Sequence, residues 1–442
     1  MIKIDMRALI ARMIAKVKDN MRTVVSPELY SFFGKILRFT MKWGSNLLFI
    51  IFVFPLVLPV VLVVRAIRPV FLIRFGQLVS SRIGHFAANT ELYLCERDAG
   101  INVPVKTHLD IFYFAYQPIC NQQLALMWKR VLFIWPSWLL SPIVRVNRLF
   151  PGAQEHEIGT NTKNDCDVRG LLEKYKVHIQ FTEEEEQQGQ SGLRKMGIPE
   201  GVEYVCLIVR DSAYLLGHLG WDHSYHNYRD SNIDDYVPAA EELAERGYYV
   251  IRMGAKVKAP MKSKHPKILH YATNGMRSDF MDIYLGAKCL FCISVSTGFD
   301  AIPVIFRRPV LFVNALPIGY LPWYLKDSLI IHKHYYSSKD DRELKLDEIF
   351  HTGNAFILKT NEYESNGIQL FDNTPEEIRD GVIEMVERLK DSWNGRPEDE
   401  ELQKRFWEII STYVPINFNG VNGEIKARHC ALYLRNNKEW LL

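Results

Sequence analysis

The 442-residue sequence lacks a strong net charge, a cysteine framework, internal repeats and low-complexity tracts. Its formal net charge of +3 is too small to favour nucleic acid as a partner. Its seven cysteines, an odd number at irregular spacing, argue against a disulfide framework and favour a reducing compartment. The chain is longer than a single hydrophobic core usually accommodates, and 48% of its residues are apolar. We therefore expect two globular domains.

Metal and redox signals are weak. Cys289 and Cys292 form a C-x-x-C pair, but they lie in an apparent buried strand, where residues three apart face opposite sides. The stretch "NDCD" (164–167) holds an Asp-x-Asp in an apparent loop, which is a poor context for metal coordination. His223 and His226 have no third ligand at helical spacing. These patterns favour no metal site.

One long apolar run is present, the 18 residues from Leu47 to Val64. As a straight helix it would span about 27 Å, short of a ~30 Å hydrocarbon core. Pro55 and Pro59 should bend or break that helix. Basic residues flank both ends, so charge gives no orientation. We interpret the run as a segment that dips into the membrane and returns; a single span and a buried core helix are the alternatives.

The first 25 residues support a membrane-associated segment. Their apolar residues share one face of a helical wheel and their basic residues occupy the other. Such a helix suits an anionic leaflet, although an ordinary surface helix has the same pattern. We therefore expect residues 1–69 to associate with a membrane.

Beyond residue 70, strand-like and helix-like stretches alternate, which indicates a parallel sheet in an α/β fold. We predict an N-terminal Rossmann-like domain at 70–195 and a C-terminal one at 196–375. Residues 376–442 should form helices that pack back on the first domain.

Local signals predict several element boundaries. Asn121, Thr182 and Ser278 each precede an apolar helical pattern and are expected to cap a helix. The stretch "LFIWP" (132–136) is predicted as a strand.

The segment "ISVSTGFDA" (293–301) reads as a buried strand running into a helix through Ser296, Thr297 and Gly298. A hydrolase nucleophile would need G-x-S-x-G and a triad, and the first glycine is missing. Helix N-termini bind phosphate, and Arg210 and Arg252 end neighbouring strands. We expect the turn to hold a phosphate, with simple helix capping as the alternative.

The motif "RIGHF" opens the first helix of the α/β region. Gly84 would allow close backbone approach, and His85 would face an inter-domain cleft as a general base or a binding group. A packing role for His85 is the alternative. The loop "GWDHSYHNYRDSN" (220–232) is expected to close over the cleft.

Four separated motifs occur in order: "RIGHFAANTELYL", "VRDSAYL", "HNYRDSNIDDYVPAAEELAERGYYVIRMG" and "MRSDFMDIYLGAKCLFCISVSTGFDAIPVIFRRPVLFVN". Together they resemble a family of bacterial glycosyltransferases found with surface-polysaccharide genes. The resemblance extends from about Phe71 to the C-terminus. It implies a GT-B-like α/β fold, with two Rossmann-like domains facing across a cleft.

The resemblance also implies roles for individual residues. The catalytic candidates are His85, Glu91 and Asp211. The donor-binding candidates are Arg210, Ser212, Arg252, Gly254, Ser278, Asp279, Ser296, Thr297 and Gly298. The acceptor and cleft-loop candidates are Gly84, Asn89, Tyr228 and Arg229.

The implied reaction moves a sugar from a nucleotide-sugar donor to a membrane-proximal or lipid-linked glycan, with no metal and no cofactor. Its place would be the cytoplasmic face of the bacterial inner membrane. Two other functions stay open: a nucleotide-sugar epimerase of the same fold, and a non-catalytic scaffold of a polysaccharide complex.

Overall fold

The structure is a computed structural model that describes residues 49–158, 166–211, 224–320, 322, 324–414 and 423–442. Their contacts divide the chain into two compact units. Of the described residues, the first unit holds 49–74, 106–109 and 136–156, and the second holds the others. The borders predicted at residues 195 and 375 stay predictions.

Strands and helices alternate over much of the chain. The strands are β1 Leu72–Leu78, β2 His108–Phe114, β3 Tyr204–Ile208, β4 Tyr249–Arg252, β5 Ile268–Leu269, β6 Cys292–Ser294, β7 Val310–Ala315, β8 Leu329–His332, β9 His334–Ser337, β10 Arg342–Glu343, β11 Ile368–Phe371 and β12 Arg428–His429. The helices are α1 Phe54–Ile67, α2 Ile83–Asp98, α3 Gln122–Val131, α4 Ser137–Asn147, α5 Leu171–Lys174, α6 Glu183–Lys195, α7 Val237–Glu245, α8 Asp279–Lys288, α9 Ala301–Ile305, α10 Leu346–His351, α11 Thr360–Ser365, α12 Pro375–Leu389, α13 Pro397–Tyr413 and α14 Ala431–Asn436.

The core of the second unit is a seven-stranded sheet of order β12-β8-β7-β6-β3-β4-β5. Every neighbouring pair in it is parallel, as the alternation of strands and helices predicted. The chain builds outward from β3 to β5, then crosses over and builds outward again from β6 to β8. The strand order therefore reverses between β3 and β6, and ligands of open α/β sheets bind at the carboxyl ends of strands at such a point.

Two smaller sheets complete the strands. One pairs β1 with β2, and the other is antiparallel with the order β10-β9-β11. The strand predicted at 132–136 is reduced to a single bridge between Phe112 and Ile134. Pro136, two residues after Ile134, directly precedes α4. Because it has no N–H, it cannot donate a further hydrogen bond to the neighbouring strand.

Three predicted helix caps are confirmed. The Asn121 side chain accepts from Leu124 N at 2.8 Å, and the Ser278 hydroxyl accepts from Met281 N at 3.1 Å. Thr182 and the third helical residue of α6 form a reciprocal capping box. These caps are local, which is why the sequence alone predicts them.

The packing of the C-terminal tail on residues 70–195 stays a prediction, and Lys426 of the tail pairs with Glu173 of that range. Strand β12 of the tail pairs with β8 at the edge of the large sheet. The buried rings of Phe406, Tyr433 and Trp440 surround His429 there, so apolar burial holds the tail at this edge.

Helix α1 covers most of the long apolar run. Pro55 lies in its first turn, where a missing N–H costs little, and the helix continues through Pro59 rather than breaking there. No helix in the described part of the chain is both long and apolar enough to cross a membrane. The amphipathic pattern predicted for residues 1–25 lies outside the described residues.

Candidate active site

The loop after β6 differs from the sequence prediction. Helix α9 begins only at Ala301 and has five residues, so Ser296, Thr297 and Gly298 precede it rather than form its N-terminus. Ser294 organises the loop instead, since its hydroxyl donates to Asp300 at 2.8 Å and accepts from Thr297 N at 3.3 Å. Neither the capping alternative nor a helix-terminus phosphate site describes this loop.

Two hydroxyl groups in this loop have no hydrogen-bond partner among the described residues. They are Ser296 Oγ and Thr297 Oγ1, both shielded from solvent. Ser296 also has a left-handed backbone, with φ of 57°, which is uncommon for a residue with a side chain. Shielded hydroxyls without partners are costly unless a ligand satisfies them, so the loop is a candidate ligand-binding element.

Basic side chains surround the reversal point between β3 and β6. The Arg229 guanidinium donates to the Ser296 carbonyl oxygen. Arg210, just beyond β3, pairs with Asp230 at 3.0 Å. Burial raises the pKa of Asp230, and the pairing with Arg210 opposes that shift. The structure thus brings two predicted residues, Arg210 and Arg229, to neighbouring strand ends.

Arg252 ends β4 and is nearly inaccessible, with 2% exposure. Its guanidinium donates to the carbonyl oxygens of Met253 at 2.7 Å and Val209 at 3.1 Å. Burial lowers its pKa to about 10. The Asp211 carboxylate partly opposes that shift, so Arg252 places a buried positive charge under the strand ends. It is too buried in this structure to touch a ligand directly.

Two further predicted residues follow the same strands. Gly254 has φ of 148°, and an added Cβ would lie 2.6 Å from Val257 Cγ1, so only glycine fits this turn. The Asp211 carboxylate accepts from Lys258 N at 2.8 Å, which fixes the adjoining loop. Ser212 lies outside the described residues.

The sequence analysis missed a polar network at the ends of β7 and β8. Lys333, only 4% exposed, pairs with Asp372 at 2.7 Å and donates to the Asp230 carbonyl oxygen at 2.7 Å. The Ser231 hydroxyl donates to Asp372 at 2.6 Å, and the Asn314 amide donates to Ser231 at 2.9 Å. The available signal was position, because Asn314 ends the strand-like stretch "PVLFVN" and Lys333 directly follows β8.

The first turn of α2 lies against the loop after β6. An added Cβ on Gly84 would lie 3.0 Å from Gly298 Cα, so the two backbones are in direct contact. His85, the next residue, is half-buried, and its Nδ1 lies 3.3 Å from Asn89 Oδ1. The close backbone approach predicted for Gly84 is present, and it places His85 next to a residue in contact with this loop.

Glu91 does not join this group. It lies seven residues beyond Gly84 in α2, about 10 Å along the helix axis. Its carboxylate is fully buried and accepts from Arg307 at 2.7 Å and from His178 Nδ1 at 3.1 Å. A buried ion-pair network therefore holds Glu91, and its predicted place near the reacting carbon stays a prediction.

The same network has the spacing of a metal site. Glu91, Cys95 and His178 offer ligand atoms within 4.8 Å of one another. Arg307 Nη2 lies 2.7 Å from the carboxylate and 3.8 Å from the Cys95 sulfur, so a guanidinium already stands where a cation would bind. Burial lowers the pKa of His178, but hydrogen bonds to Cys95, Glu91 and Asp98 outweigh it and raise the pKa to about 10.

Three other predicted residues have packing contacts in this structure. The Asp279 carboxylate accepts from Gln122 N at 2.8 Å, which joins the starts of α8 and α3. Ser278 caps α8. The Tyr228 ring is buried against Tyr363, with ring centroids 5.5 Å apart, so it belongs to the core and not to an open cleft surface.

No protein-family model and no curated protein sequence matches the chain. Among solved structures, one similar chain is a family 9 glycosyl transferase from Veillonella parvula, with 12% identity and a TM-score of 0.42 over 72% of this chain and 97% of that one. Another is the ADP-heptose LPS heptosyltransferase II of E. coli, with 11% identity and a TM-score of 0.41 over 72% and 100%. Similarity at this level identifies neither a family nor a function.

Proposed function

We propose that this protein is a GT-B-type glycosyltransferase that moves a sugar from a nucleotide-sugar donor to a membrane-proximal or lipid-linked glycan in bacterial surface-polysaccharide synthesis. The observation that carries the proposal is the loop after β6. It presents two shielded hydroxyls without partners at the reversal point of a parallel sheet, with Arg210 and Arg229 beside it. A diphosphate supplies the acceptor oxygens that those hydroxyls and guanidinium groups would bind.

Each group has a part in the proposed chemistry. Ser296 and Thr297 donate to the donor phosphates. Arg210 and the buried charge of Arg252 stabilise the leaving diphosphate, so the reaction proceeds without a resident metal. His85 is the proposed general base that removes the proton of the acceptor hydroxyl, since it stands next to the Gly84 contact with the donor loop.

The surface of the first unit supports a membrane-proximal acceptor. Several apolar side chains of its α1 helix are exposed, among them Leu56 at 76% and Val63 at 60%. Trp138, in the first turn of α4, is also 76% exposed. Apolar side chains exposed in such numbers favour a partner that covers them. The described part of this unit has one acidic residue, Glu155, against six basic ones, which suits an anionic membrane surface.

A panel of nucleotide sugars tests the proposal. Purified full-length protein is incubated with each donor, and released nucleotide is measured with and without a lipid-linked glycan fraction. We expect acceptor-dependent release with at least one donor and its loss in His85→Ala. Isomerisation of a free nucleotide sugar without acceptor would instead establish an epimerase. Absence of nucleotide binding to the folded protein across the panel would leave the scaffold function.

A further inference from the structure

A cavity of about 580 Å³ opens at the amino ends of β7 and β8. Pro309, Asp327 and Ser328, which directly precede those strands, lie in its wall. Because these strands are parallel, the cavity lies at their amino ends and the loop after β6 lies at the opposite, carboxyl ends. Its volume lies within the range of small-molecule sites, roughly 300–1,000 Å³.

The acidic side chains of the cavity wall are largely committed. Asp167 is 4% exposed, and its two carboxylate oxygens accept from the backbone amides of Leu171 and Leu172 at 2.8 Å each. Glu173 pairs with Lys426 and lies 3.7 Å from Lys326. Asp167 and Glu173 therefore cannot neutralise the other basic groups of the wall, which leaves Asp327 as the third carboxylate that lines it.

The basic side chains of the wall are not compensated in the same way. Lys174, Lys176 and Arg308 line the cavity, and none of them has a carboxylate partner among the described residues. The Arg308 Nε donates to the Ala287 carbonyl oxygen at 2.9 Å, which holds the start of the guanidinium in place. These three cations outnumber the remaining carboxylate of the wall, Asp327, so the concave surface has an excess of positive charge that favours an anion.

Arg307 makes one side of the cavity rigid. Its guanidinium donates to the Glu91 carboxylate and to the carbonyl oxygens of Tyr175 at 3.1 Å and Lys176 at 3.3 Å. Its own backbone is left-handed, with φ of 60°. The segment that carries Lys176 is thereby fixed before any ligand arrives, which lowers the entropy cost of binding.

The rest of the wall is apolar and includes Leu172, Val177, Val304 and Leu325. We propose that this cavity binds a small phosphorylated organic molecule. Its phosphate would pair with Arg308 and Lys176, and its carbon skeleton would pack on the apolar wall. This site is separate from the proposed donor site and would exist even if the protein transferred no sugar.

Calorimetric titration of the full-length protein with fructose bisphosphate tests the site, and uncharged fructose is the matched ligand control. We expect saturable binding of the bisphosphate and none of the sugar. Arg308→Gln combined with Lys176→Gln should weaken binding at least about tenfold, since two charge-assisted contacts are lost. Lys339→Gln, which removes an exposed charge outside the cavity wall, should leave binding unchanged.

A donor-loop variant separates this proposal from the proposed function. Thr297→Val should not alter bisphosphate binding, because Thr297 lies at the other edge of the sheet. No saturable binding, or equal affinity in the Arg308 and Lys176 double variant with an unchanged melting temperature, would overturn the proposal. Loss of binding in Thr297→Val alone would also overturn it, by assigning the phosphate to the donor loop.

Discussion

Gly84 and Gly298 are in backbone contact although 214 residues separate them in the chain. A Cβ on Gly84 would lie 3.0 Å from Gly298 Cα, and a Cβ on Gly298 would lie 3.3 Å from Gly84 N. Neither position tolerates a larger residue without movement of the other backbone. This contact fixes where the first turn of α2, and hence His85, lies relative to the loop after β6.

Gly84→Ala should therefore displace the loop. We expect about 1–3 kcal/mol of destabilisation from overpacking and at least a tenfold loss of donor affinity. Gly201→Ala is the control, because its Cβ meets no atom within 4 Å and only its backbone, with φ of 78°, resists the change. Urea unfolding and donor titration measure the two effects. Normal donor affinity in a destabilised Gly84→Ala protein would show that the contact is purely structural.

Thr297→Val removes a hydroxyl while keeping the shape of the side chain. Because that hydroxyl is shielded and has no partner in the described structure, its loss should not lower the free energy of unfolding and should raise it by about 1 kcal/mol. Donor affinity should fall about tenfold, the value of one charge-assisted hydrogen bond. Thr412→Val is the matched control, since that exposed hydroxyl bonds to the Glu408 carbonyl oxygen. Equal nucleotide affinity in Thr297→Val and wild type would contradict the assignment.

Glu91→Gln should act on folding rather than on the reaction. The change leaves the Arg307 guanidinium without its buried counter-charge, so we expect a loss of about 3 kcal/mol in the free energy of unfolding. Glu408→Gln, which breaks an exposed pair with Lys404 at 3.7 Å, should cost less than about 1 kcal/mol. An inactive Glu91→Gln enzyme with wild-type stability would instead support the predicted catalytic role of Glu91.

Acid should destabilise the tail through His332 and His429. Both imidazoles are buried, and Nε2 of His429 lies 3.0 Å from Nδ1 of His332. Burial lowers the pKa of His429 to about 3 and the pKa of His332 well below its usual value. As pH falls through about 6.5, the unfolded chain binds protons that the folded chain cannot. Stability should then decline steadily toward the folded-state pKa of His429.

Urea unfolding at several pH values between about 7.5 and 5 measures this decline. His429→Phe, within the existing aromatic cluster, should flatten it. An unchanged pH slope in that variant would show that other groups govern acid stability. His178 contributes a pH dependence of stability with the opposite sign. Its raised pKa stabilises the folded state fully below about pH 6.5, and that stabilisation is lost as pH rises through about 10.

Membrane association should depend on the first unit. The double variant Trp138→Ser with Val63→Ser removes exposed apolar surface. A smaller fraction of it should therefore co-sediment with anionic vesicles, with no decrease in the melting temperature. Leu358→Ser is the control, since Leu358 is 48% exposed in the second unit. Equal vesicle binding by the double variant and wild type would exclude this surface as the contact.

The local features and the broad fold class of the protein follow from its amino-acid sequence. Asn121, Thr182 and Ser278 cap helices because a capping side chain bonds to amides a few residues away, so no distant partner is needed. The alternation of strands and helices likewise predicts the parallel sheet, since short crossovers leave few other topologies.

The contacts of each polar residue depend instead on how the folded chain packs. Glu91 and His85 lie in the same helix, yet one is held by Arg307 and the other lies beside a residue in contact with the loop after β6. That loop resembles a helix start in sequence, but a hydrogen bond between Ser294 and Asp300 closes it, and α9 begins only at Ala301. Burial and long-range pairing determine these outcomes, and neither leaves a periodic signal in the chain.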